Sequence, residues 1–219
     1  MLKIFSTILL FCFFSGFCFS QSEILSEKDL NNQPVDSILS WMRANSTTAE
    51  NLDEFHAIGL KTLKRSLKTE NDSIIAQIHE SLANWHAYNG LFSPDSVVYH
   101  AEKALAFHLK GDDQKKIADT YRSLSIDYLN TGQLDKAQEV LFKSIELYED
   151  LNDDAGLGSA YRTLGVKFRV MEDYEKSIYY TNQAIPLLEK TENYDGLAIA
   201  QFNLIIGYGE LGEYEKAYK

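Results

Sequence analysis

The residues here that could do chemistry are few, and their spacing argues against most of it. Five histidines occur. His79 and His86 are seven apart and share one helix face, while His100 and His108 fall on the next predicted helix. A metal site read along one helix wants ligands at i, i+3 or i+4, or a converging carboxylate. The spacing therefore predicts ordinary helical histidines, with no metal and no cofactor. The acidic runs EDLNDD (from Glu149) and EDYEK (from Glu172) lack the alternating ligands and the glycine of a calcium loop, and read as solvated helix ends. Gly156 and Gly158 open a helix, but no strand precedes them and the next glycine is Gly165. That spacing suits close helix packing, not a dinucleotide loop. No phosphate loop, nucleophile elbow or HExxH pattern is present, so no catalytic residues are assigned and the chain is not expected to be an enzyme.

The elements behind these residues come from a repeat. YRSLSIDYLNTGQLDKA begins at Tyr121, YRTLGVKFRVMEDYEKS at Tyr161 and QFNLIIGYGELGEYEKA at Gln201. Leu124, Leu164 and Leu204 form one column, and Tyr128, Phe168 and Tyr208 another. With Tyr121, Tyr161 and Gln201 they stand at i, i+3 and i+7, one stripe of a helix. A turn follows, carrying Gly132, Glu172 and Gly212 in one column. Leu134, Tyr174 and Tyr214 then open a second helix, whose small column Ala137, Ser177 and Ala217 lets two backbones approach. Ser73, Asp113, Asp153 and Asn193 stand forty apart as candidate N-caps.

One helical hairpin cannot bury its apolar face alone, so neighbouring hairpins must stack. The fold class is therefore all-α, a solenoid of antiparallel helix pairs. In the unit before Asp113 the stripe Ile78, Leu82, Trp85 and Tyr88 is slipped by one residue, and Ser93 with Pro94 starts the second helix. Pro186 lies inside a predicted helix and should kink it. The last unit stops at Lys219 with its second helix unfinished, which leaves Leu204, Ile205, Tyr208 and Tyr214 without a next neighbour and predicts self-association through that end.

The first twenty residues differ in kind. Lys3 precedes sixteen uncharged residues, IFSTILLFCFFSGFCF, and then Ser20. This is the pattern of a secretory signal peptide and is short for a membrane span, which needs roughly 20 residues. Cys12 and Cys18 both lie in it, so the exported chain would have no thiol for a disulfide, a nucleophile or a metal. The formal net charge of −11 argues against binding to nucleic acid or anionic lipid. The chain divides into a signal segment (1–20), a polar segment (21–34), a degenerate hairpin (35–72) and repeat units at about 73–112, 113–152, 153–192 and 193–219, the last incomplete.

The pattern resembles the tetratricopeptide repeat, in which an aromatic, Leu-Gly, an aromatic, Gly and Ala recur, as in YRTLGVKF and YLNTGQLDKA. The period is forty residues, which resembles the longer-helix variants. The resemblance implies an all-α, right-handed superhelical solenoid of antiparallel helix pairs, with a concave groove lined by first helices and binding a protein or peptide. Its ligand-facing positions carry over to Arg122, Ile126, Leu129 and Asn130, then to Arg162, Val166, Arg169 and Val170, and then to Phe202 and Ile206. Each set lies on one helix face, turned away from the Tyr–Leu–Tyr stripe. The family's carboxylate-clamping variant wants an asparagine where Ile126 and Val166 stand, so that mode is not implied. Two readings stand side by side: these residues pack unit against unit, or they hold a peptide with apolar anchors and an acidic group. A signal segment with such repeats also resembles the exported region of bacterial sensors, which places the chain in the periplasm or cell envelope. A free-standing periplasmic adaptor is the alternative, and an enzyme without a motif a remote one.

Overall fold

A computed structural model describes residues 33–46, 52–88 and 94–217. The signal segment, most of the polar segment after it, and Ser93 lie outside the described residues. Every described element is a helix: α1 (Val35–Asn45), α2 (Leu52–Ser66), α3 (Asp72–Tyr88), α4 (Pro94–His108), α5 (Gln114–Asn130), α6 (Leu134–Leu151), α7 (Asp154–Val170), α8 (Tyr174–Lys190), α9 (Tyr194–Glu210) and α10 (Tyr214–Ala217).

The boundaries follow from local chemistry. Asp113, Asp153 and Asn193 each cap a first helix, accepting from the amides of Lys116, Gly156 and Gly196 at 2.9, 3.1 and 2.9 Å. Asp173 does the same for α8 through Lys176 N. The stop signal is built into the same few residues. Gly132, Asn152, Glu172, Glu192 and Gly212 all adopt left-handed backbone, with φ between 53° and 76°. The next residue's amide then reaches back to the carbonyl of Tyr128, Tyr148, Phe168, Leu188 or Tyr208. This closing motif satisfies carbonyls that the helix end would leave unpaired. In most turns the residue that closes one helix also caps or precedes the next, which keeps the hairpins tight.

The stripe is the core. Leu124 and Leu164 are buried, as are Tyr128 and Phe168. In the last unit Leu204 and Tyr208 are half-buried, and Ile205 and Tyr214 are exposed. Ala137 and Ser177 are fully buried, and Ser177 Oγ donates to Gly165 O at 2.9 Å. A Cβ on Gly165 would stand 2.3 Å from Thr181 Oγ1, so this hairpin needs a glycine at its closest approach. Gly156 and Gly158 are likewise packing positions: a Cβ there would meet the Tyr148 ring at 2.2 Å and Leu187 Cβ at 2.9 Å. Helix α8 runs on through Pro186.

The α3 register departs from expectation. Ser73 is not a cap but lies inside α3, where its Oγ accepts from Gln77 Nε2. Asn71 accepts from Ile74 N instead. The offset from Asn71 to Asp113 is 42 residues, so the slip is two and not one. In that register His79, Leu82 and His86 occupy the columns of Tyr121, Leu124 and Tyr128. Ile78, Leu82 and Trp85 are buried as expected, but Tyr88 is 70% exposed, because two residues of slip rotate it off the stripe.

Candidate functional site

Arg122 on α5 and Arg162 on α7 stand in one column of the repeat and face one another across adjacent first helices. Burial lowers the Arg162 pKa, and the charge of Arg122 beside it lowers it further. The buried Arg162 Nε has no hydrogen-bond partner among the described residues. Two like charges close together, one of them with a donor unused, make a local demand for an anion. Arg122 also lies against the Tyr148 hydroxyl, which donates to Asp119 Oδ1 at 2.6 Å.

The remaining predicted positions divide by environment. Ile126, Val166 and Ile206 are half-buried. Val170 and Phe202 are exposed, at 52% and 57%, and Asn130 is exposed too. Leu129 packs against the cluster containing Leu124 and Tyr128. Arg169 Nε donates to Asn203 Oδ1 at 2.9 Å and so ties α7 to α9. The structure thus gathers Arg122 and Arg162, leaves Val170 and Phe202 open, and turns Leu129 and Arg169 toward packing.

A second concavity was not legible in the sequence. A cavity of about 240 Å³ runs between α3 and α5, with Glu80, Ala83 and Asn84 on one wall and Lys116, Thr120, Ser123, Leu124 and Asp127 on the other. One end is closed by charge: Glu80 takes Lys116 Nζ at 2.8 Å and His108 Nε2 at 3.1 Å. Burial raises the Glu80 pKa, but the hydrogen bonds from His108 and Lys116 outweigh it and hold the carboxyl below its usual range. Toward the other end burial alone pushes Asp127 up to about 7.

Asp127 predicts a measurable pH dependence. A carboxyl with a raised native pKa binds its proton more tightly folded than unfolded, so its contribution falls as pH rises from about 4 to about 7. Asp127→Asn should therefore be more stable than the parent at pH 8 by at least about 1 kcal/mol, and the gain should shrink toward pH 4. Denaturant unfolding at pH 4, 6 and 8 measures this. An equal difference at all three would show that Asp127 carries no buried charge.

No family model matches the chain. Among curated proteins, the transcriptional activator NprA of Geobacillus stearothermophilus is 25% identical over 142 residues, covering 65% of this chain and 34% of that protein. The chain thus spans about a third of the length of that relative. Among solved structures, a signal-transduction ATPase with a tetratricopeptide repeat sensor from Pyrococcus horikoshii superposes with a TM-score of 0.75 at 17% identity, over 87% of this chain and 31% of that one. A Rap protein complexed with Competence and Sporulation Factor superposes with a TM-score of 0.60 at 13% identity, over 88% and 62%. In fold, this chain is a tetratricopeptide-repeat-like stack of helical hairpins.

Proposed function

We propose that this protein is an exported repeat scaffold that binds a peptide or protein segment bearing apolar side chains and at least one carboxylate. The observation that carries the proposal is the pairing of Arg122 with the half-buried Arg162, whose Nε has no partner among the described residues. Exposed Val170 and Phe202 supply apolar surface on the same series of first helices. A carboxylate received between the two guanidinium groups would relieve their repulsion and satisfy a stranded donor. The strongly acidic remainder of the chain would repel other acidic segments, which confines such binding to this place.

The neighbours support a sensory setting. One is described with a repeat sensor, one is complexed with Competence and Sporulation Factor, and the curated relative is a transcriptional activator. We read the groove as the ligand-receiving part of a signalling protein, positioned outside the cytoplasm by residues 1–20. Among the described residues no helix is long and apolar enough to cross a membrane. N-terminal sequencing of the expressed protein tests export: a chain beginning after Ser20 is expected, and an intact Met1 on cytoplasmic protein contradicts it.

The binding surface is tested by Arg122→Glu and Arg162→Glu, made separately. Each should reduce recovery of partners at least tenfold, since a lost charged pair is worth 2–5 kcal/mol or more when buried. The thermal midpoint should stay within a few degrees. Full retention of partners, or loss of the fold without any effect on binding in the folded fraction, assigns these arginines to packing.

A further inference from the structure

Four of the five histidines, spread over three helices, converge in the N-terminal half. His56 comes from α2, His79 and His86 from α3, and His100 from α4. One ring nitrogen from each of His56, His86 and His100 lies within 4.8 Å of the other two. His86 and His100 are buried, at 8% and 6% exposure, and His56 is half-buried. His86 Nδ1 has no hydrogen-bond partner among the described residues. His79 adds a fourth ring behind the third: its Nδ1 stands 2.9 Å from His100 Nδ1. We propose that His56, His86 and His100 form a binding site for a divalent transition-metal ion of the zinc, cobalt, nickel or copper class.

The donor set selects the class. Three imidazoles and no carboxylate suit borderline transition ions and exclude calcium and magnesium, which require oxygen ligands. Burial lowers the pKa of His86 and takes His79 to about 4 and His100 to about 3. The contact between His79 and His100 does for His100 what a supporting hydrogen bond does in known sites. With the proton on His100 Nδ1, donated to His79 Nδ1, His100 Nε2 keeps a lone pair.

The geometry also says what must move. Imidazole nitrogens bind zinc at about 2.0–2.1 Å, so ligand atoms around one ion sit roughly 3.3 Å apart. A spread of up to 4.8 Å must close by about 1 Å or more, within reach of ring rotation at half-buried His56. Three protein ligands leave a fourth, tetrahedral position for water or an incoming donor. Because the ligands come from three helices, binding would pin α2 and α4 to α3, the wall of the cavity that faces Asp127. Trp85 stacks on His56 at 5.0 Å and reports on the site.

The test uses the full chain without a polyhistidine tag, stripped with chelator and titrated with Co²⁺. The expected result is uptake of one Co²⁺ per chain with the visible bands of a four-coordinate ion, quenching of Trp85 fluorescence, and displacement by Zn²⁺. His56→Gln and His86→Gln should each weaken uptake at least tenfold while keeping the helical circular dichroism. His108→Gln, outside the cluster, should bind as the parent does. X-ray absorption of the Zn²⁺-loaded parent, which needs no variant, should show about three imidazoles. Absence of stoichiometric uptake, equal uptake by His56→Gln and the parent, or a shell without imidazole would overturn the site.

Discussion

Replacing Leu164 with alanine is expected to lower the unfolding free energy by about 2–5 kcal/mol, the range for buried leucines that leave a cavity. Leu164 is fully buried in a cluster with Leu141, Ile145, Tyr148, Ala160 and Phe168. The cluster joins two successive hairpins, so the loss falls on stacking itself. Repeat proteins hold together through nearest-neighbour interfaces, and this cluster is the one shared by these two hairpins. The Gly165 backbone next to it is already at closest approach to α8, which limits how far the helices can collapse into the void. Guanidinium unfolding followed by circular dichroism gives the number. A change below about 0.5 kcal/mol would mean that the stripe is not the core.

Gly156→Ala should also destabilise, by roughly 1–3 kcal/mol, against its helix propensity. Alanine is favoured over glycine in a helix by about 1 kcal/mol, so propensity alone forecasts a gain. The packing forecasts the reverse. The new Cβ would lie 2.2 Å from two carbons of the Tyr148 ring, a side chain with no exposure and a hydroxyl tied to Asp119. That ring cannot step aside without breaking its hydrogen bond or opening the α6–α7 contact. A stabilised Gly156→Ala variant would show that the ring has room to move and that the α6–α7 distance is not set by this glycine.

What was legible in the sequence follows from where information is local. Helices α5 to α9 start and stop at chemistry confined to a few residues, such as Asp153 with Gly156 or the left-handed Asn152, and their period repeats it. Helix α3 falls out of that register because its cap, Asn71, stands 42 residues before Asp113, and because histidines fill its aromatic columns. Ser73 fits the forty-residue column, yet Asn71 is the residue that caps α3. The Arg122–Arg162 pair was visible as a column, since stacking brings equal positions together. The Glu80–Asp127 cavity and the histidine cluster were not, because each gathers residues at unequal positions on different helices. Spacing along one helix carries no trace of that.

The claim at the centre of this account is that the face bearing Arg122 and Arg162 receives an apolar, acidic segment. An unbiased peptide-library selection on the purified chain tests it most directly, with Arg162→Gln as the matched comparison. The account predicts enriched peptides that combine large apolar residues with at least one Asp, Glu or free C-terminal carboxylate. It also predicts that those peptides lose at least tenfold in affinity for Arg162→Gln, whose fold is unchanged. Enrichment of basic peptides, or of acidic ones that bind Arg162→Gln as tightly as the parent, would contradict it.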